Sequence, residues 1–324
     1  MPASTEPQSF LHPSHQEQFH QRWNHLTDRH VRTLAWLLDA PDLLDATAPE
    51  WSGRVASLGP VDQRTAEWLA QLDSSPQALH AYLGVQAFTR LGRYAEKLMA
   101  YFLESRNDLV AHGVQVRMGK NATIGEFDFL LRQGEDLVHW EFATKLYLLE
   151  SSGRGHRADY FVGPNLADTL GAKVRKIMDQ QLTLSQHPAA QAHLPEPIAR
   201  AQALVKGWLF YHGQTPLAAL PEGISLAHCR GFWCPLEETA GLKSERYVVL
   251  PRLDWLAPAK TRHEDAVDYA ELRLMLETHF AGNTSPVLVA LLQPCGDVLL
   301  EIDRGFIVPD DWQRRAAIRI AKVS

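Results

Sequence analysis

The stretch Gly125–Lys145, GEFDFLLRQGEDLVHWEFATK, constrains the fold more than any other part of the chain. Phe127, Phe129 and Leu131 alternate with Glu126, Asp128 and Leu130, the period of two that belongs to a strand. Arg132–Asp136, with Gly134 inside it, breaks the alternation as a turn. Leu137–Leu148 then resumes as a β-rich run, with Glu141, Ala143 and Lys145 on one face and Trp140 and Phe142 on the other. The pattern predicts a β-hairpin in which Asp128 and Glu141 approach each other across the pair. Two acids and a lysine arranged this way have two readings. They supply hard oxygen donors for Mg2+ or Mn2+ beside a cation, or they are salt bridges that stitch a surface hairpin together.

Composition narrows the rest. A chain of 324 residues that is 45% hydrophobic and 22% charged can bury a substantial core. Its formal net charge of −6 does not point to nucleic acid as a whole-protein property, so any such contact rests on a local basic surface. Three cysteines, an odd number in a large chain, argue for reduced thiols rather than a disulfide framework. Cys229 and Cys234 beside His228 have a spacing allowed for zinc, but no second ligand pair follows, and buried apolar thiols are expected. The polar N-terminus lacks the features of a signal peptide, and no run approaches a membrane span. A soluble, cytoplasmic protein is expected, with no membrane partner.

Along the chain, apolar residues recur at helical spacing from Gln16 to Leu38. His20, His25 and His30, five residues apart, share no helix face and are expected on a solvated surface. Gln63–Leu72 reads as a further helix and Gln77–Glu104 as a long helix or helix pair, its second half carrying Glu96 amid Leu91, Tyr94, Ala95, Leu98 and Phe102. Leu109–Met118 is a strand ahead of the hairpin. Ser151–Asn165 is a glycine-rich, locally basic loop in which Arg154 and Arg157 are candidate phosphate contacts. Leu166–Leu184 reads as a helix carrying Lys173 and Lys176. Further on, Leu204–Tyr211, His228–Cys234 and Arg246–Leu250 are strands, and His263–Phe280 a helix. Pro286–Leu292 and Val298–Ile302 form a closing hairpin, and Trp312–Ile320 the last helix. Trp208, Tyr211, Phe232 and Trp233 suit a core better than a base-stacking surface.

The order of these segments resembles the PD-(D/E)XK nuclease superfamily, and most closely its Holliday-junction-resolvase-like branch. Gly92-Arg93-Tyr94-Ala95-Glu96-Lys97-Leu98 is similar to that branch's leading helix, and Gly125-Glu126-Phe127-Asp128 to its acidic strand. Over nearly its whole length the chain also resembles the DUF1853 family. The shared features are Glu141–Leu148, Gly163-Pro164-Asn165, Lys206-Gly207-Trp208-Leu209-Phe210 and Leu250-Pro251-Arg252-Leu253-Asp254-Trp255-Leu256. That second resemblance brings no activity with it.

The first resemblance implies a mixed α/β protein with a restriction-endonuclease-like α-β-β-β-α-β core over residues 86–215. An N-terminal helical region would occupy residues 1–85 and a β-rich α/β extension residues 216–324. It implies a Mg2+- or Mn2+-dependent nuclease in which Asp128, Glu141 and the Phe142 carbonyl hold the ion and Glu96 sits near it. Lys145 would stabilise charge, although the superfamily's lysine falls two residues after the acid, where this chain has Ala143. Two residues along a strand move the Cα by roughly 6–7 Å, so Lys173 or Lys176 is an alternative source of that cation. Arg154, Arg157, Lys173 and Lys176 would face substrate. The rival from another class is an inactive nuclease fold that binds nucleic acid or protein.

Overall fold

The computed structural model describes residues 13–84, 88–118, 122–150, 156–213 and 220–322. The N-terminal region is helical: α1 (His15–Trp23), α2 (Arg29–Asp39), α3 (Gln63–Ser74), α4 (Gln77–Leu83) and α5 (Leu91–Ser105). Then come β1 (Leu109–Met118), β2 (Ala122–Gln133), β3 (Asp136–Leu149), the short β4 (Phe161–Val162), α6 (Leu170–Lys176) and β5 (Arg200–His212). The remainder holds β6 (Cys229–Pro235), β7 (Arg246–Val249), β8 (Lys260–Arg262), α7 (Tyr269–Gly282), β9 (Val287–Cys295), β10 (Val298–Val308) and α8 (Trp312–Ala321).

The protein is a mixed α/β structure built on one ten-stranded sheet in the order β1-β2-β3-β5-β6-β10-β9-β7, with β4 on β3 and β8 on β10. β3, β5, β6 and β10 run parallel to one another, flanked by antiparallel hairpins. The parallel strands β3 and β5 are almost continuously buried, as strands covered on both faces should be. The largest apolar cluster runs from Phe19 to Ile320 and joins the N-terminal helices to the sheet and to α8.

The helix expected over Gln16–Leu38 is two helices. Asp28 caps α2, accepting from the backbone N–H of His30 (2.9 Å) and Val31 (3.1 Å). The Asp73 carboxylate pins the preceding break by accepting the N–H groups of Thr27 and Asp28. The bend corrects the expectation for two of the three histidines. His20 is buried, with Nε2 against the Glu301 carbonyl at 3.1 Å, and His30 is half-buried against the Tyr94 hydroxyl at 2.7 Å. His25 is exposed, as expected.

Two later helices are also shorter than their periodicity predicts. Leu166 has φ +59°, which no helix accommodates, and α6 begins only after Thr169, whose hydroxyl accepts from the Ala172 N–H at 3.2 Å. The same segment leaves α6 through a wide π-helical turn, Ile177–Gln181. α7 starts at Tyr269 because Asp268 and Glu271 form a reciprocal capping box there. Trp208 and Trp233 are fully buried and Tyr211 nearly so, which places these rings in the core. Cys229 and Cys234 are buried thiols, and both ring nitrogens of His228 are engaged, with the Tyr211 hydroxyl and the Ser225 carbonyl.

Candidate active site

The β2–β3 hairpin turns through Gly134, whose φ of +62° suits a residue without Cβ. Its ladder runs from Gln133↔Asp136 to Phe129↔Trp140 and stops. Beyond that point β2 continues beside β1, and β3 continues beside β5. Asp128 and Glu141 are the next residues on either side of the last pair, so they face each other where the strands part.

The Asp128 carboxylate replaces the missing ladder bond. Its Oδ2 accepts the Phe142 backbone N–H at 2.9 Å. A residue in a strand directs its N–H and C=O to the same side, so the Phe142 carbonyl points into the same gap.

Glu141 is almost fully buried. One oxygen accepts a hydrogen bond from the Gln181 side-chain amide. The other, Oε2, is buried without a donor among the described residues. Burial comes first and the neighbouring Asp128 second in raising the Glu141 carboxyl well above the usual glutamate range. Asp128 is raised by burial too, while the Phe142 N–H draws it back down. Two desolvated carboxyls side by side cannot both ionise cheaply. They share a proton, or a cation satisfies them.

Glu96 on α5 stands close enough to feel Asp128. Burial, then that charge, push its carboxyl up to about 7. Glu126, on the same strand as Asp128, lies 3.7 Å from the Arg93 guanidinium. Among the described residues, no three His, Cys, Asp or Glu side chains form a group that could hold a metal ion. The donor set nevertheless fits Mg2+, which is usually held by one or two carboxylates plus waters and substrate phosphate. The orphaned, buried Glu141 oxygen is the atom such an ion would satisfy.

The cations separate into two positions. Lys173 of α6 donates to the Gln181 side-chain oxygen at 2.9 Å, and Gln181 in turn donates to Glu141. Burial lowers the Lys173 ammonium, the neighbouring Lys145 adds to that, and Glu141 and Asp128 oppose it. Lys145 is also lowered by burial, but the carboxylate opposing that most is Asp168, ahead of Glu141. Lys173 is thus tied to the acid pair through Gln181, whereas Lys145 shares a cavity wall with Asp168 and is near enough to Glu141 and Lys173 for their charges to act on one another. Lys176 is exposed and contributes charge to both. Arg157 is exposed and stacked over Tyr160 at 5.6 Å, with no contact to the acids. Arg154 lies outside the described residues.

Sequence reasoning missed Gln181. A π-helical turn adds a residue per turn and shifts the phase of everything after it. Eight residues along a regular helix would set Gln181 about 80° round from Lys173, and the wide turn closes that angle so that the two side chains meet. No periodicity signal announces such a turn.

No curated protein and no solved structure matches this chain. Among the described residues, no helix is long and apolar enough to cross a membrane. Residues 32–308 match the family described as "Domain of unknown function (DUF1853)", and the chain belongs to that family.

Proposed function

We propose that this protein hydrolyses phosphodiester bonds in nucleic acid with the help of Mg2+ or Mn2+, in the manner of PD-(D/E)XK nucleases. The observation that carries the reading is the Asp128–Glu141 pair, desolvated at the parting of β2 and β3 with one buried oxygen unsatisfied. The order α5-β1-β2-β3-α6-β5, with only the two-residue β4 and short 3-10 and π-helical turns between, supports a core of that superfamily's type.

Asp128 and Glu141 would hold the ion, with the Phe142 carbonyl directed into the same gap. When bound, the metal supplies a Lewis acid for a phosphoryl oxygen and lowers the pKa of a coordinated water. Asp128 keeps β3 in place through the Phe142 amide. Gln181 orients Glu141 and carries the Lys173 ammonium beside it, where a positive charge offsets negative charge gathering on the phosphate. Glu96 adds an acidic neighbour whose own protonation changes near neutrality.

A second reading has a specific basis. Ala143 occupies the position of the superfamily's lysine, and a metal at this site would have only two carboxylates in direct contact. A nuclease fold that binds nucleic acid without cutting it accommodates both facts.

Thermal unfolding with Mn2+ or Mg2+ separates the two readings, because a ligand of the native state raises its stability. Asp128→Asn should abolish the rise. Cleavage of single-stranded, duplex and branched DNA and RNA, with Glu141→Gln as control, then tests hydrolysis. Absence of any metal-dependent shift at millimolar ion sinks the hydrolytic reading.

A further inference from the structure

Past the parting of the strands, β3 has β5 on one side only until β4 pairs with it at Leu148 and Leu149. A cavity of about 250 Å3 opens along this stretch. Its wall includes Arg90, Thr144, Lys145, Asn165, Asp168 and Arg252.

Three cations against one carboxylate leave an excess of two positive charges. Among the described residues, neither the Lys145 ammonium nor the Arg90 guanidinium has a hydrogen bond or ion pair. The Arg252 guanidinium is only stacked over Trp255, at 5.3 Å. Asp168, the one acid, is partly committed, because its Oδ2 accepts the Tyr147 hydroxyl at 3.1 Å. Strand alternation also points the Thr144 and Leu146 N–H groups to the side that Phe142 uses, where β2 has withdrawn. Cations that outnumber the acid beside them and hold no hydrogen bond or ion pair among the described residues, gathered with backbone donors around a small space, suit a phosphate. Its oxygens accept several charge-assisted hydrogen bonds at once.

We propose that this cavity binds a phosphate of the substrate strand other than the one attacked, with Lys145 as its anchor. Lys145 is therefore a substrate-binding residue, and Lys173 is the cation that serves the acid pair. Four residues along β3 set the Lys145 Cα roughly 13 Å from that of Glu141, enough to separate the bound phosphate from the reacting one. The assignment rests on the hydrolytic reading for the identity of the substrate, but the phosphate site itself is tested without metal.

The experiment is calorimetric titration of the full chain in EDTA with inorganic phosphate and with a 5′-phosphorylated thymidine dinucleotide. Both should bind the wild type. Lys145→Met and Arg252→Ala should each weaken binding by roughly tenfold or more, the scale of a lost hydrogen bond between charged groups. Lys145→Arg should retain binding. Arg252 is exposed, so its variant tests the site even if Lys145→Met fails to fold. No binding by folded wild type at tens of millimolar phosphate overturns the assignment. So does binding that neither substitution weakens. Phosphate binding in a protein that neither binds metal nor cleaves supports the cavity and removes the hydrolytic reading alone.

Discussion

Glu141→Gln should make the metal-free protein more stable at mildly alkaline pH, an unusual outcome for a change at a nearly inaccessible position. The buried carboxyl takes up its proton more strongly when folded than when unfolded, because burial and Asp128 oppose its charge. A group raised in this way stabilises the fold fully below its unfolded pKa. That contribution declines as pH rises towards the folded value. Across that window the native state holds up to one extra proton, worth ~1.4 kcal/mol per pH unit. From pH 5 to pH 8 the limit is therefore roughly 4 kcal/mol. Sharing of the proton with Asp128 and solvent relaxation reduce this to about 2 kcal/mol. Glutamine removes the titration. Its carbonyl keeps the bond from Gln181, and its new amide donates towards Asp128. In EDTA, the variant should match wild type near pH 5 and exceed its unfolding temperature by a few degrees at pH 8. Urea unfolding across this range is the assay. A variant less stable than wild type at pH 8, or one with an unchanged pH slope, refutes the account of the acid pair.

Two further outcomes test the frame around the site. Glu301→Ala should cost about 3–5 kcal/mol, because it strands the fully buried Arg304 guanidinium. The carbonyls of Trp255 and Ala257 that Arg304 also reaches cannot neutralise it, so a loss below about 1 kcal/mol in urea unfolding contradicts the pairing. Gly207→Ala should cost at least about 2 kcal/mol, since an added Cβ would lie 2.0 Å from the Lys145 carbonyl oxygen and push β5 away from β3. A neutral result by the same measurement would mean the two strands are not held this close.

The approach of Asp128 to Glu141 was legible in the sequence because three local signals agree. Alternation sets the faces, Gly134 sets the turn, and the turn sets the register. The end of the ladder at Phe129↔Trp140 was not legible, since residues on both sides of it are equally β-prone. Where it ends, the Asp128 carboxylate takes the place of a backbone partner for Phe142. The burial of His20 was misread because helical spacing locates a face but not what lies opposite, here the Glu301 carbonyl from the far end of the chain. Lys145 was legible as a cation near the acids. Its leaning towards Asp168 depends on a segment that begins after a left-handed residue, Leu166. The DUF1853 resemblance, read from four short segments, agrees with the family match over residues 32–308.

The sheet order carries a consequence for synthesis on the ribosome. β10 lies between β6 and β9, so β6 gains its second neighbour only when the chain has grown past Val298–Val308. Until then the parallel run β3-β5-β6, already apolar on both faces, ends in an open edge able to pair with another nascent chain. β10 also supplies the carbonyl that receives His20 from α1, so the first helix docks against the last strand made. The native fold is therefore completed late, and its parallel centre must be kept from self-association while the final hairpin is produced.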